Sequence, residues 1–353
     1  MIFLNSHEQF RVAAPALEKM QGKAESPSLD ALYELAGADS IDRFAFTASG
    51  AEAINQVHWT AFLELARKEG KCHFLTTPTE DSATLLSLKR LEALGCFVKI
   101  VPLDAKGQVD LPELAKLLTP RTALLSLSLA HALTGVIQPM EEIVQMAHSS
   151  GVWVHVDATY ALGKMYSPFR QMGADYLTFG GGAIHSVKGS GGVFAKAQVP
   201  LLPFILGDTS DPATLSALET AARHALLSFD QMGLEVVRLR DYFESRIEGA
   251  EVLFQDGPRL PNVSLLSFPK VHQAALHHAL KQKGLFASIG GAVHPHLHRH
   301  LLACKCSEQT ALTACSFALS RFTTEEEIDQ AIDIVNRTVR SLQALTEDLV
   351  FDA

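Results

Sequence analysis

The chain has 353 residues, of which 47% are hydrophobic and 20% are charged. This length suits two packed domains, and this composition predicts a large buried core, not a disordered chain. The formal net charge of −9 argues against a nucleic acid or an anionic membrane as partner, and no apolar run of about 18 residues predicts a membrane span.

The N-terminus and the cysteines both predict a cytoplasmic protein. The opening MIFLNSHEQF has no basic segment followed by an apolar stretch, so we expect no secretory signal. The five cysteines are scattered and odd in number, which is typical of reduced thiols and not of a disulfide framework. They are Cys72, Cys96, Cys304, Cys306 and Cys315.

Seven short apolar runs alternate with amphipathic helical stretches, such as 51–70 and 140–151. The runs are RFAFTA (43–48), CHFLTT (72–77), FVKIVP (97–102), TALLSLS (122–128), VWVHVD (152–157), DYLTF (175–179) and GGVFAK (191–196). Strands separated by crossover helices predict a seven-stranded, mainly parallel sheet that is covered on both faces. The fold class is therefore α/β.

The pattern changes after about residue 212. Residues 212–248 predict helices interrupted near Gly233, and a strand at 262–269 and a helix at 274–284 follow. TTEEE predicts the start of a last helix, because a Thr cap is followed by acidic residues in the first turn. These elements indicate a smaller α+β domain.

The domain division follows from this change of pattern. We expect a large α/β domain over 13–230 and a small α+β domain over 231–353 together with 1–12. No flexible linker separates them, so we expect the two domains to pack tightly.

FTASGAEAIN (46–55) joins a strand to a helix, with Ser49, Gly50 and Ala51 at the helix N-terminus. Free backbone N–H groups there favour an anion such as phosphate. The alternative is a capping box, in which Ser49 caps the helix and Glu52 closes the box. Both interpretations stay open on the sequence alone.

VWVHVDATYALGK (152–164) ends an apolar strand with Asp157. Ligands collect at the carboxyl ends of strands in open α/β sheets, and a carboxylate there can keep a pyridinium nitrogen protonated. The alternative is that Asp157 only caps the next turn.

HPHLHRHLLACKC (294–306) is rich in histidine and cysteine. If the segment is extended, its four alternating imidazoles share one face, and imidazole and thiolate are good ligands for a transition metal. The candidate ligands are His294, His296, His298, His300, Cys304 and Cys306. The spacing matches no standard zinc motif, and Pro295 complicates a strand, so a solvated polar loop is the alternative.

Together these segments resemble the class V aminotransferase family, and within it the cysteine desulfurases. FTASGAEAIN, LTPRTALLSLSLAHALTGVIQPMEEI, GVWVHVDATYALGK, GADYLTFGGGAIHSVKGSGGVF, LPNVSLLSFP and SRFTTEEEID follow in family order. The resemblance implies the pyridoxal-phosphate-dependent transferase fold of type I. It also implies a homodimer with sites near the subunit interface.

The resemblance also assigns the functional positions. The family has a Ser-Gly-His-Lys run after the DYLTF strand, and its lysine forms a Schiff base with the cofactor. Here Gly180 stands at the position of the serine, Gly182 at that of the histidine and Ala183 at that of the lysine. An alanine has no amine, so it cannot form the Schiff base.

Other family positions also carry different residues here. Ala51 matches a Thr of the family's phosphate turn, and Asp81, which follows Glu80, matches a His that stacks on the cofactor ring. Ala132 matches an Asn, and Tyr160 matches a Gln. Val293 matches the nucleophilic Cys, and Ser316 matches the Arg that holds the substrate carboxylate. Asp157 and the helix-end backbone match the family's cofactor contacts. Lys188 is a poor substitute for the missing lysine, because the family often has a lysine there that lies in the turn.

The main hypothesis is therefore a desulfurase-like pseudoenzyme with a structural or regulatory role, as a homodimer or as a heterodimer with an active relative. The first alternative is an active transferase or desulfurase that holds pyridoxal phosphate non-covalently against Asp157, or through Lys188. The second is a metal-binding protein that uses residues 294–306. The cofactor is accordingly none, non-covalent pyridoxal phosphate or a transition metal.

Overall fold

A computed structural model describes residues 1–8, 10–21, 27–207, 211–291 and 293–351, without the side chains of 346–351. The strands are β1 (Ile2–Phe3), β2 (Arg43–Thr47), β3 (His73–Thr76), β4 (Phe97–Ile100), β5 (Thr122–Ser128), β6 (Trp153–Asp157), β7 (Tyr176–Gly180), β8 (Gly191–Ala195), β9 (Glu251–Val252), β10 (Val263–Ser267), β11 (Leu285–Phe286) and β12 (Ala314–Ala318).

The α-helices are α1 (Ala14–Gln21), α2 (Asp30–Ala36), α3 (Gly50–Ala61), α4 (Arg67–Glu69), α5 (Ser82–Ala93), α6 (Leu111–Leu117), α7 (Met140–Ser149), α8 (Phe169–Met172), α9 (Pro212–Leu227), α10 (Phe229–Gln231), α11 (Val237–Arg246), α12 (Gln273–Gln282), α13 (Leu297–Ala303), α14 (Glu308–Thr313) and α15 (Glu325–Phe351). The π-helical segments Phe62–Ala66 and Met232–Val236 join α3 to α4 and α10 to α11.

The seven predicted strands are confirmed, and they form one sheet in the order β2-β8-β7-β6-β5-β3-β4. The pairs among β7, β6, β5, β3 and β4 are parallel, whereas β8 runs antiparallel to both of its neighbours. Strand β5 is buried at every residue but its last, as expected for a strand covered on both faces. The α/β fold class and the mainly parallel sheet are thus confirmed.

This topology decides where the candidate site lies. Since β5, β6 and β7 are parallel, their last residues, Ser128, Asp157 and Gly180, lie at one edge of the sheet. Thr47 at the end of β2 and Gly180 both pair with Gly191 at the start of β8, so the turn before α3 reaches the same edge. We refer to it below as the carboxyl edge.

The C-terminal part packs around a smaller sheet, in which β10 lies between β9 and β12 with antiparallel pairing. Helices α11, α12 and α15 cover it and share a hydrophobic core that is separate from the core around the large sheet. Strand β1 pairs with β11, so the N-terminal residues join this part. The division at residues 230 and 231 itself stays a prediction.

Two local predictions in the C-terminal half are confirmed. The helix expected over 212–248 is interrupted by the π-helical segment Met232–Val236, which contains Gly233. The TTEEE start is a capping box, because Thr324 Oγ1 accepts the N–H of Glu327 at 3.3 Å and Glu327 Oε2 accepts the N–H of Thr324 at 3.1 Å. Among the helices of the described ranges, none is both long enough and apolar enough to cross a bilayer.

A buried hydrogen-bonded chain crosses the large sheet. His58 contacts Ser87 Oγ at 3.0 Å through Nδ1 and Ser126 Oγ at 2.8 Å through Nε2. Ser126 Oγ lies 2.8 Å from His155 Nδ1, and His155 Nε2 lies 2.8 Å from the hydroxyl of Thr178. Burial lowers the pKa of His58 to about 3, so this imidazole is neutral at neutral pH.

We predict that His58→Gln makes stability less dependent on pH. An unfolded histidine binds a proton below its ordinary pKa of 6.5, whereas folded His58 does not until about pH 3, so stability is lost as the pH falls between these values. Between about pH 7.5 and about pH 5.5 the variant should lose about 1 kcal/mol less unfolding free energy than the wild type, measured by urea denaturation.

Replacement of the exposed His296 by Gln is the matched control, and it should keep the pH dependence of the wild type. An equal pH dependence in His58→Gln and the wild type would contradict a neutral, buried His58.

Candidate functional site

The turn before α3 closes on its own hydrogen bonds. Ser49 caps the helix, and its Oγ accepts the N–H of Glu52 at 3.1 Å. Glu52 Oε2 accepts the N–H of Ala48 at 3.0 Å, one residue earlier than a capping box requires. The capping interpretation of Ser49 is confirmed, and that of Glu52 is corrected by one residue. The N–H groups of Gly50 and Ala51 have no acceptor among the described residues.

Close approach of backbone segments holds this turn against the ends of β7 and β8. A Cβ at Gly191 would lie 2.8 Å from the carbonyl carbon of Ser49, so this glycine is required for the contact. A Cβ at Gly180 would lie 3.6 Å from Thr159 Cγ2, an ordinary van der Waals distance. Packing therefore tolerates a side chain at position 180, where the resemblance places a phosphate-binding serine.

Asp157 is 3% exposed at the end of β6. Its Oδ1 accepts the N–H of Thr159 at 3.1 Å, the hydroxyl of Thr159 at 2.6 Å and the hydroxyl of Thr178 at 3.4 Å. The turn-capping interpretation of Asp157 is thus confirmed. Burial raises its pKa to about 6, against the Thr159 hydrogen bond, and the charge of Asp81 raises it further.

Glu80 is a second buried carboxyl at the carboxyl edge. Its Oε1 accepts the hydroxyl of Thr77 at 2.7 Å, and its Oε2 accepts the N–H and the hydroxyl of Ser128 at 2.9 and 2.6 Å. Burial raises the pKa of Glu80 to about 7, partly offset by these hydroxyl donors, and the charges of Asp157 and Asp81 raise it as well. Glu80 and Asp157 are therefore carboxyls whose charge is unfavourable here, which is a property common at functional sites.

Asp81 connects two distant segments at this edge. Its Oδ1 lies 2.5 Å from His294 Nδ1, and its Oδ2 accepts the hydroxyl of Tyr160 at 2.9 Å. The side chain of His294 is fully buried, and its ring centroid lies 5.3 Å from that of Tyr160. Burial lowers the pKa of His294, but the hydrogen bond and charge of Asp81 outweigh burial, so the pKa lies above its ordinary value.

Ala183 lies in a short 3₁₀ turn, Gly181–Ile184, and is 3% exposed. A Cβ at Gly182 would lie 2.8 Å from Phe10 Cδ2, so the Phe10 ring lies where a side chain at position 182 would begin. Lys164 Nζ donates to the carbonyl of Ala183 at 3.4 Å. Burial, with the charge of Arg321, lowers the pKa of Lys164 to about 7. An amine from another part of the chain thus contacts the backbone at position 183.

The other positions assigned by the resemblance are dispersed. Lys188 is exposed in the turn before β8, and Val293 is 48% exposed. Ala132 is buried after β5, and Ser316 on β12 donates its hydroxyl to the carbonyl of Leu133 at 2.7 Å. Within the described residues, none of these four side chains forms a hydrogen bond with Asp157.

The histidine-rich segment is neither the extended segment on which the shared face of four imidazoles depended nor a polar loop throughout. Leu297–Ala303 is helix α13, because Leu297 and Leu301 at helical spacing are both fully buried. His294 and His300 face inward, whereas His296 is exposed and His298 is half-buried. Within the described residues, no three or more His, Cys, Asp or Glu side chains are arranged to hold a metal ion. Cys304 and Cys306 are separate free thiols.

Two of these histidines instead join two others that the sequence analysis did not identify. His7 and His131 are buried beside His294 and His300, with ring centroids 6.0 Å apart for His7 and His294 and 3.5 Å apart for His131 and His300. Burial lowers the pKa of His300 to about 3 and those of His7 and His131 well below 6.5. Single histidines after β1 and β5 carry no sequence signal for this cluster.

Comparison with known proteins identifies what the chain is similar to. Residues 29–210 match the family model described as aminotransferase class-V. A cysteine desulfurase of Nostoc sp. is 31% identical, with 92% of this chain and 84% of that protein covered. A cysteine desulfurase of Cereibacter sphaeroides is 30% identical, with 98% and 97% covered.

Solved structures show the same fold. A NifS-like protein superposes with a TM-score of 0.86 at 24% identity, with 96% of this chain and 99% of that chain covered. A NifS-like protein from Rickettsia africae gives a TM-score of 0.82 at 17% identity, with the same coverage. The expected fold of type I, with its seven-stranded sheet, is thereby confirmed.

The family implies pyridoxal phosphate, and neither Gly182 nor Ala183 has a side-chain group that could hold it covalently. The methyl group of Ala183 offers no amine, and the Phe10 ring lies beside Gly182. Asp81, His294 and Tyr160 bond to one another. Asp157 and the N–H groups at the start of α3 are groups that suit a non-covalent ligand of this kind.

We predict that Asp81→Asn lowers the pKa of His294. With the carboxylate replaced by an amide, burial becomes the dominant influence on this imidazole, so its pKa should fall below that of the wild type. The pH dependence of the imidazole ¹³Cε1 chemical shift measures this. Tyr160→Phe is the control, since it removes one hydrogen bond to Asp81 and leaves the charge. An unchanged pKa in Asp81→Asn would refute the assigned pairing.

Proposed function

This chain belongs to the class V aminotransferase family, and we propose that it is a cysteine desulfurase-like pseudoenzyme with a structural or regulatory role. The observation that carries the proposal is Ala183, at the position where the family resemblance requires the Schiff-base lysine. A methyl group cannot act as the amine that binds the cofactor covalently.

The surroundings of Ala183 support the same conclusion. Phe10 packs where a side chain at position 182 would start. At position 180 there is room for a side chain such as serine, but the chain has glycine there. Val293 and Ser316 offer neither a thiolate nor a guanidinium at the positions of the nucleophile and of the substrate-binding arginine. Changes at lysine, phosphate, nucleophile and substrate positions have one common cause, which is a relaxed demand for the cofactor chemistry.

The proposed role is exerted through assembly in the cytoplasm. Members of the family are typically dimeric, and a pseudoenzyme that keeps the fold can keep the dimer surface. We propose a homodimer, or a heterodimer with an active relative. The chain's acidic net charge favours neither nucleic acid nor an anionic membrane as partner.

Purified protein tests this proposal directly. We expect a dimer by light scattering, and no release of sulfide from cysteine above the protein-free background with pyridoxal phosphate in excess, because position 183 supplies no amine. An active desulfurase assayed in parallel shows that the conditions are adequate. Sulfide release that scales with protein concentration would contradict the pseudoenzyme.

A second candidate is an active transferase or desulfurase with atypical cofactor binding. Asp157 supports it, as a buried carboxyl at the end of β6 that could face a pyridinium nitrogen. Lys188 is exposed, whereas the amine of Lys164 lies beside the carbonyl of Ala183 and has a pKa of about 7. Lys164 is thus the better candidate for an amine that reacts with an aldehyde, since neutral amines are the nucleophilic form.

The two candidates differ in a labelling experiment. Protein incubated with pyridoxal phosphate is reduced with borohydride, digested and analysed by mass spectrometry, with Lys164→Arg and Lys188→Arg as paired variants. The pseudoenzyme predicts no stoichiometric pyridoxyl label on either lysine. Stoichiometric label at one site, lost only in the matching variant, would establish the second candidate.

A further inference from the structure

Three basic side chains converge beside Ala183 without acidic partners. Lys164 and Arg321 line one small cavity together with Ala183 and His185, and the backbone carbonyl of Arg11 lies 2.8 Å from Nδ1 of His185. None of them forms an ion pair with any carboxylate in the described ranges. The guanidinium groups of Arg11 and Arg321 lie 5.9 and 5.2 Å from the centroid of the Phe322 ring. An otherwise acidic protein therefore has a local concentration of positive charge here.

Burial makes this arrangement unfavourable as it stands. Arg321 is 8% exposed, and burial lowers its pKa to about 10. Lys164 has a pKa of about 7 because of burial and the nearby charge of Arg321, and the carbonyl of Ala183 accepts its hydrogen bond. Charged groups are almost never buried without a partner, because the desolvation cost is large. An anion would compensate this positive charge.

Two adjoining cavities lie against these cations. A cavity of about 10 Å³, enough for about one water molecule, is lined by Lys164, Ala183, His185, Arg321, Ser6 and Ser320, among others. A more open cavity of about 220 Å³ shares Ser6 and Ser320 with it and is also lined by Arg11, Phe3, Phe10 and Phe322. The cations thus lie at the inner end and one side of a pocket whose other walls are largely aromatic.

We propose that the larger cavity binds a small organic anion, with its carboxylate or phosphate group beside Arg11 at the end that adjoins Arg321 and Lys164, and with a flat apolar body between Phe3, Phe10 and Phe322. Arginine donors suit both anionic groups, and aromatic rings stack on flat molecules. Glu327 is the acidic residue among the described lining residues, and its carboxylate accepts the N–H of Thr324 at the rim. The pocket adjoins position 183 and does not depend on the proposed pseudoenzyme assignment.

Calorimetric titration at constant ionic strength tests the proposal, with phenyl phosphate, benzoate and inorganic phosphate as probes. We expect saturable 1:1 binding of at least one aromatic probe, about tenfold or more tighter than that of inorganic phosphate. Whichever of phenyl phosphate and benzoate binds more tightly identifies the preferred anionic group, phosphate or carboxylate. Absence of saturable binding by both would overturn the proposal, and equal affinity for inorganic phosphate would overturn the aromatic part of it.

Variants locate the binding. Arg11→Gln removes an exposed cation and should weaken binding about tenfold, as should Arg321→Gln, which removes a buried one. Glu327→Gln removes a rim acid and should strengthen binding about threefold. Arg170→Gln, on an exposed arginine paired with Asp39, is the control and should bind like the wild type. Arg11 is exposed, so its variant tests the site even if Arg321→Gln fails to fold; wild-type affinity in Arg11→Gln would contradict the site.

Proton uptake gives an independent readout that a structural role of Lys164 would not produce. A bound anion should raise the pKa of Lys164 from about 7, so binding at about pH 8 should take up about one proton. The apparent enthalpy should then differ between buffers of different ionisation enthalpy, and this difference should vanish in Lys164→Met. No uptake in the wild type would exclude Lys164 from the site.

Discussion

A hydrogen bond between Asp81 and His294 links the carboxyl edge of the large sheet to the loop between β11 and α13. Asp81 precedes α5, and the same loop is bonded again where the N–H of Ser82 donates to the carbonyl of Val293 at 2.9 Å. Removing one partner would leave the other in a largely buried place without its hydrogen bond, which costs about 1–3 kcal/mol. The pair therefore helps to fix His294 and Tyr160, both of which bond to Asp81.

The framework and the candidate site place different demands on the same sequence. The strands that end at the carboxyl edge are buried and continuous, and the contact between Gly191 and Ser49 keeps the turn before α3 in place. At the position assigned to the lysine, by contrast, Lys164 donates to the backbone carbonyl of Ala183, and the Phe10 ring lies beside the neighbouring Gly182. The chain thus has the fold of its family, with side chains at the carboxyl edge that bond to one another.

The sequence was sufficient for the large sheet, because continuous apolar runs such as 122–128 have few alternatives to a buried strand. It was also sufficient for the Ser49 and Thr324 caps, which are local. It was not sufficient for 294–300, because the alternating histidines are compatible with a strand or a loop, whereas Leu297 and Leu301 alone carry the helical spacing.

The groups that depend on tertiary contacts had no local signal. His7 and His131 come together with His294 only through the folded topology, and nothing in composition marks them. Lys164 is one lysine in an ordinary segment, and its lowered pKa arises from burial and from Arg321, far away in the sequence. Neither could be derived from motifs.

The central claim is that this chain keeps the family fold but does not bind pyridoxal phosphate covalently. The visible absorption spectrum of purified, untagged protein tests it most directly, recorded before and after pyridoxal phosphate is added and the excess is removed. The account predicts no retained visible band in either spectrum. A retained yellow band that shifts on borohydride treatment would show that a lysine holds the cofactor, and would contradict the account.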